Sequence, residues 1–176
     1  YNRSDFEEVY ESYVPREART HPSYYSNSAQ DVDEFDFAMV KFYGSSERAP
    51  LKLNRDPSLP ANEGDELIIM GWGYTDPNVD QTAQVLQETT VNYIPNEQCK
   101  DFMTNTVDFR ERIIGVSLCA IDFDNGEDAC QGDSGGPLVQ IQNGEDVQVG
   151  VVSYGLRPCA NGVYPGLYAR ISYVRD

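Results

Sequence analysis

A serine set among glycines, in Gly132-Asp133-Ser134-Gly135-Gly136-Pro137, is the pattern in this sequence with the most direct chemical meaning. A hydroxyl attacks a carbonyl only when a base takes its proton and donors hold the oxyanion that forms. Gly132 and Gly135 permit the tight bend that aims backbone N–H groups at one place. The same letters also suit a glycine-rich turn with a capping Asp-Ser pair, and the hexapeptide alone leaves both readings open. Upstream, Asp36 stands in Phe35-Asp36-Phe37-Ala38-Met39-Val40-Lys41-Phe42. From Phe37 to Phe42 the apolar positions are too dense to alternate, so the run reads as a strand buried on both faces. A carboxylate at its mouth needs hydrogen-bond partners, which a histidine and nearby backbone would supply. The plainer reading is an exposed strand-end aspartate in a run with Asp31, Asp33 and Glu34.

With Cys130 just upstream, the hexapeptide resembles the nucleophile loop of the trypsin/chymotrypsin family of serine proteases (peptidase family S1). The Asp36 segment resembles the strand entry that bears that family's catalytic aspartate. The resemblance implies that Ser134 is the nucleophile and that the N–H groups of Gly132 and Ser134 form the oxyanion hole. It makes Asp36, 98 positions earlier, the residue that orients the base. Asp128, six residues before Ser134, matches the bottom of the primary specificity pocket, where a carboxylate pairs with arginine or lysine. Gly155 and Gly166 match the two wall glycines that admit so long a side chain. Ser153-Tyr154-Gly155 matches the segment that pairs with the substrate main chain, with tyrosine where the family usually has tryptophan. Asp133 matches the residue that pairs with the amino terminus freed on activation. Against this, Asp128 is also the last acid of a run containing Asp122, Asp124 and Glu127. Leu156-Arg157-Pro158 departs from the family pattern: Arg157 near the pocket mouth would repel a cationic side chain or offset Asp128, and Pro158 removes a donor.

The third member of a triad should precede Asp36, because the family order is His, Asp, Ser. The one histidine is His21, in His21-Pro22-Ser23-Tyr24, which matches a surface stretch of the family and not its base. Two-barrel β domains commonly run to ~200–250 residues, against 176 here. Nothing resembles an Ile-Val-Gly-Gly start, and the sequence stops at Asp176, before the family's C-terminal helix. It therefore reads as an internal fragment of a secreted protease, lacking the part with the catalytic histidine. Alone it is expected to be inactive, since Asp133 lacks its cationic partner. The absence of a signal peptide at Tyr1 carries no information about export.

The elements that would position these residues are all β. The expected fold class is a double antiparallel β-barrel, incomplete: residues 1–49 the remnant of the first barrel, 50–65 a linker, and 66–176 the second barrel with the nucleophile loop. Strands are predicted at Leu67–Met70, Val85–Tyr93, Leu138–Gln142, Val147–Tyr154 and Leu167–Ile171, between turn residues. One short helix is predicted over Gln98–Met103, with Asn96 as a possible cap. Four cysteines allow three disulfide connectivities; the resemblance implies Cys99–Cys119 and Cys130–Cys159, which favours an oxidising, extracellular compartment. No Cys-x-x-Cys pair or adjacent histidine suggests zinc, and no metal or cofactor is expected. Asn2-Arg3-Ser4 is a glycosylation sequon.

The net charge of −16 disfavours nucleic acid as a partner, which needs a basic face to displace its counterions, and none is expected. No apolar run is long enough to span a bilayer. The charge would draw cationic substrates, though solubility is the simpler account of it. Polypeptide substrates, protein protease inhibitors and a monomeric state follow from the resemblance. The competing function is a non-catalytic protease homologue that binds partners through the same scaffold. Intact Ser134, Asp36, Asp128 and Gly132 favour the enzyme.

Overall fold

The computed structural model describes residues 11–27, 32–102, 113 and 115–174. Among them run β1 (Pro15–Thr20), β2 (Tyr25–Asn27), β3 (Val32–Glu34), β4 (Ala38–Phe42), β5 (Lys52–Leu53), β6 (Glu66–Gly71), β7 (Gln87–Ile94), α1 (Asn96–Phe102), β8 (Ser117–Ile121), β9 (Pro137–Gln142), β10 (Glu145–Tyr154) and β11 (Gly166–Arg170). A single 3-10 turn follows over Ile171–Tyr173. The Asn2 sequon and Met103 lie outside the described residues.

Six antiparallel strands close on themselves in the order β10-β9-β6-β7-β8-β11, with β11 pairing back onto β10. The fold is therefore all-β, a closed barrel with further small sheets, in keeping with an incomplete double barrel. Period-two patterning fills its interior. Leu67 and Ile69 of β6, Val91 and Tyr93 of β7, Leu138 of β9, and Val149 and Val152 of β10 all point inward. Each such aliphatic side chain contributes about 1.5–3 kcal/mol by leaving water. β8 and β11 are buried at every residue. Their inward faces, Leu118, Ala120 and Tyr168, join the barrel core. Their outward faces, Cys119, Ile121 and Leu167, pack under α1 with Ile94, Cys99 and Ile113. The Cys99–Cys119 disulfide ties α1 to β8, and Cys130–Cys159 bridges the loop before β9 to the loop after β10.

Several expectations need correction. α1 begins at Asn96, so the cap position falls on Pro95, whose carbonyl accepts from the Cys99 N–H. Asn96 Nδ2 instead tethers the helix to β8 by donating to the Ser117 carbonyl at 3.2 Å. The strand after Asp36 is not buried on both faces: every residue of β4 is exposed, Met39 to 76%. Among the described residues its partner is β1 alone, and the pair forms a separate two-stranded ribbon. β1 escapes a periodicity argument because Arg16, Glu17 and Arg19 crowd it with charge. Within the stretch read as a linker, β5 adds in parallel to the outside of β10.

Candidate active site

Backbone hydrogen bonds shape the Cys130–Pro137 loop before any side chain acts. Asp133 N–H donates to the Cys130 carbonyl at 3.0 Å and Gly136 N–H to the Asp133 carbonyl at 2.8 Å, giving two consecutive turns. Gly135 N–H then donates to the Val152 carbonyl, and Val152 N–H to the Gly136 carbonyl, both at 2.9 Å. The loop is thus stitched to β10 one residue before Ser153. Gly132 adopts a φ of +99°, and an added Cβ would lie 3.1 Å from Gly73 Cα, so only glycine suits the bend. Ser134 comes out exposed at the apex. Among the described residues, neither the Gly132 nor the Ser134 N–H donates to a protein acceptor, and the Ser134 hydroxyl is likewise unbonded.

Asp133 points the other way. Its Oδ1 accepts from Gly73 N–H at 2.7 Å and its Oδ2 from Cys130 N–H at 2.9 Å. No cation pairs with it among the described residues. A cleft of about 250 Å³ lies on this side, lined by Asp133, Gly73 and Asp128 among others.

A second cleft, of about 220 Å³, opens beside Ser134. Asp128, Ser153, Tyr154, Gly155 and Gly166 line it together with Ser134, so the predicted pocket residues meet in one place. Asp122 positions this wall. Buried directly after β8, ahead of the turn, it accepts N–H bonds from Asp124, Asn125 and Glu127 and fixes the chain entering Asp128. Glu127 bonds the Thr89 hydroxyl of β7 instead. The acidic run is therefore four carboxyls with different surroundings. Asp128 accepts from Ala129 N–H at 2.8 Å, and burial pushes its carboxyl up to about 6, against the pull of the Ala129 and Ala160 N–H groups. The charge of Asp133 adds to the rise. Arg157 also lines this cleft but is not among the groups acting on Asp128.

Gly166 forms the wall facing that carboxyl. A Cβ there would stand 2.8 Å from Asp128 Oδ1 and 3.0 Å from the Tyr168 hydroxyl. Tyr168 carries no motif of its own in the sequence; its signal is position, two residues along β11 from Gly166 and so on the same face. It is fully buried, its hydroxyl has no hydrogen-bond partner among the described residues, and burial and then the charge of Asp128 hold its pKa well above the usual tyrosine range.

Asp36 joins the site through a bulge. The pairing of β10 with β11 slips between Val152 and Tyr154, leaving Ser153 unpaired in that ladder. Bulges re-aim side chains, and Ser153 Oγ donates to Asp36 Oδ2 at 2.7 Å. Among the described residues His21 makes no hydrogen bond to Asp36. That ring stacks on Phe35 at 4.9 Å, and its Nδ1 accepts from Ser23 N–H at 3.1 Å. Among the described residues no cluster of three His, Cys, Asp or Glu side chains forms a metal site, and no helix is long and apolar enough to cross a membrane.

The family model described as Trypsin matches residues 2–176. Trypsin 5G1 of Aedes aegypti is 34% identical over 165 residues, covering 92% of this chain and 56% of that protein. Trypsin-1 of Astacus astacus is 33% identical over 157 residues, covering 86% and 62%. Kallikrein 1-related peptidase b5 of Mus musculus is 34% identical over 125 residues, covering 67% and 44%. The chain thus spans roughly half the length of these relatives.

Proposed function

The chain belongs to the trypsin family of serine proteases, and from that we propose that it carries the nucleophile and specificity pocket of a secreted endopeptidase cleaving after arginine or lysine. One observation carries the proposal: an exposed serine and a mostly buried carboxyl line the same cleft of about 220 Å³. A cationic side chain entering beside Ser134 would meet Asp128, with Gly155 and Gly166 leaving it room. The scissile carbonyl would then stand over Ser134. The undonated N–H groups of Gly132 and Ser134 suit the oxyanion, and attack by Ser134 Oγ forms an acyl-enzyme that water releases.

The proton must go to a base that Asp36 orients. With His21 engaged by Phe35 and Ser23, that base is assigned to a histidine outside these 176 residues. Asp133 is assigned to hold an activating amino terminus in the cleft of about 250 Å³ that it lines. Disulfides at Cys99–Cys119 and Cys130–Cys159 favour secretion. The engagement of the one histidine is what favours the second reading, a non-catalytic homologue that binds peptides.

A fluorophosphonate probe on the full-length protein separates the two. Labelling abolished by Ser134→Ala, with arginyl ester turnover exceeding that of a phenylalanyl ester, is the expected result. An unlabelled Ser134 in activated protein would leave only the binding role.

A further inference from the structure

The cleft beside Ser134 holds opposite charges at two depths. Asp128 lies mostly buried in its wall, whereas Arg157 is exposed on its rim. Among the described residues Arg157 makes no hydrogen bond, ion pair or ring contact, so its guanidinium is open to a ligand. Nor does it act on Asp128, whose nearest partners are the Ala129 and Ala160 N–H groups.

The backbone of Arg157 is nevertheless held on both sides. Leu156 packs against the cluster under α1, and Cys159 is buried in its bridge to Cys130. The Cα of Arg157 is therefore held at one place on the rim, from which its unpartnered guanidinium reaches out. Arginine also favours carboxylates geometrically, since its planar fork can donate two parallel hydrogen bonds.

We infer that Arg157 is a specificity-determining residue, selecting substrates with an acidic side chain three to five residues before the cleaved bond. This rests on the protease reading above, in which substrate runs antiparallel along Ser153–Gly155. Strand rise is about 3.4 Å per residue. A peptide whose cleaved-bond residue faces Ser153 therefore has its third residue upstream opposite Gly155. Its fourth and fifth continue along the rim toward Arg157. The substrate class is then doubly charged: a cation for the deep carboxyl and an anion for the rim arginine.

The net charge of −16 works against acidic peptides everywhere on the surface, so the test must isolate the local pair from the global field. A double-mutant cycle does this. Binding of peptides ending in arginine, with Glu, Gln or Lys at the fourth upstream position, is measured by calorimetry at low ionic strength. The full-length protein carries Ser134→Ala so that no peptide is consumed, and Arg157 is kept or replaced by Ala or Glu. An exposed ion pair corresponds to about a one-and-a-half- to fivefold effect. Arg157→Ala should lower the Glu-to-Gln affinity ratio by that factor and raise the Lys-to-Gln ratio. Arg157→Glu should extend both changes, and salt near 1 M should erase them. Ratios indifferent to residue 157, or binding of none of the peptides, would overturn the inference. Cleavage after the arginine of the same sequences, extended at that end by a chromogenic anilide and offered to protein with Ser134 intact, tests the protease reading separately.

Discussion

Replacing Asp128 by asparagine should make the ligand-free fold more stable while destroying its affinity for cations. The carboxyl is pushed from an ordinary 3.8 up to about 6, chiefly by burial. A folded-state pKa raised above the unfolded value means that the neutral acid is the favoured buried form. Its contribution to stability is complete below pH 3.8 and is lost as pH rises through 6. A shift of two units at about 1.4 kcal/mol each makes the ionised carboxylate cost up to about 3 kcal/mol near neutrality. An isosteric amide escapes that cost, so Asp128→Asn should raise the urea midpoint at about pH 7.5 and not at about pH 4. Cation binding reverses the balance, because an amidinium in the cleft pairs only with the ionised form. Below about pH 6 each bound cation must expel a proton. The dissociation constant of benzamidine should therefore rise about tenfold per pH unit on that side and level off above about pH 7. Calorimetry in buffers of different ionisation enthalpy should count about one proton released at pH ~5 and almost none at pH ~8. Affinity independent of pH across this range, or an asparagine variant less stable at neutrality, would refute the assignment of a buried, acid-shifted carboxyl to the cation site.

Three further outcomes follow from single contacts. Ser153→Ala removes the 2.7 Å bond to Asp36; stability should fall by about 1 kcal/mol in urea titrations, and turnover should fall because Asp36 loses its orientation. Gly166→Ala puts a methyl group 2.8 Å from Asp128 Oδ1; benzamidine binding should weaken by at least about tenfold while the melting temperature changes little, since losses of that size need only about 1.4 kcal/mol. Arg170 is buried and bonded to three neutral oxygens, the Ser117 and Leu59 carbonyls and the Tyr93 hydroxyl. Arg170→Met should cost about 2–4 kcal/mol in chemical denaturation, and an unchanged midpoint would show those bonds to be without net value.

What the sequence discloses here is mostly what backbone geometry requires locally. The glycines of the Ser134 loop answer a short-range backbone need and stand out as residue types, whereas Gly155 and Gly166 are legible only through the family resemblance. The barrel strands from β6 onward are equally visible, because Leu67, Ile69, Val91 and Tyr93 alternate as half-buried strands must. β8 is different. Buried on both faces, Ser117–Ile121 has no alternation to reveal it, and it is defined by its neighbours β7 and β11. The same density misleads for β4, where an apolar run suggests burial but the ribbon supplies no cover. Ser153 was singled out for its backbone, not for its hydroxyl. Its link to Asp36 depends on a register slip 117 residues away in sequence, which no local pattern records.

The β1–β4 ribbon has a colloidal consequence. Val14, Met39, Val40, Phe42 and Tyr43 all face solvent on or beside it, and among the described residues each of its strands is paired along one edge only. Such edges invite other strands, and here the opposing force is the charge of −16. That repulsion reaches about 10 Å in 0.1 M salt but only about 3 Å in 1 M salt. The chain should therefore stay dispersed in dilute neutral buffer and cluster as salt is added. It should also flocculate near its isoelectric point of about 4.2 with its barrel still folded. Turbidity at that pH would then report lost repulsion between molecules and not their unfolding.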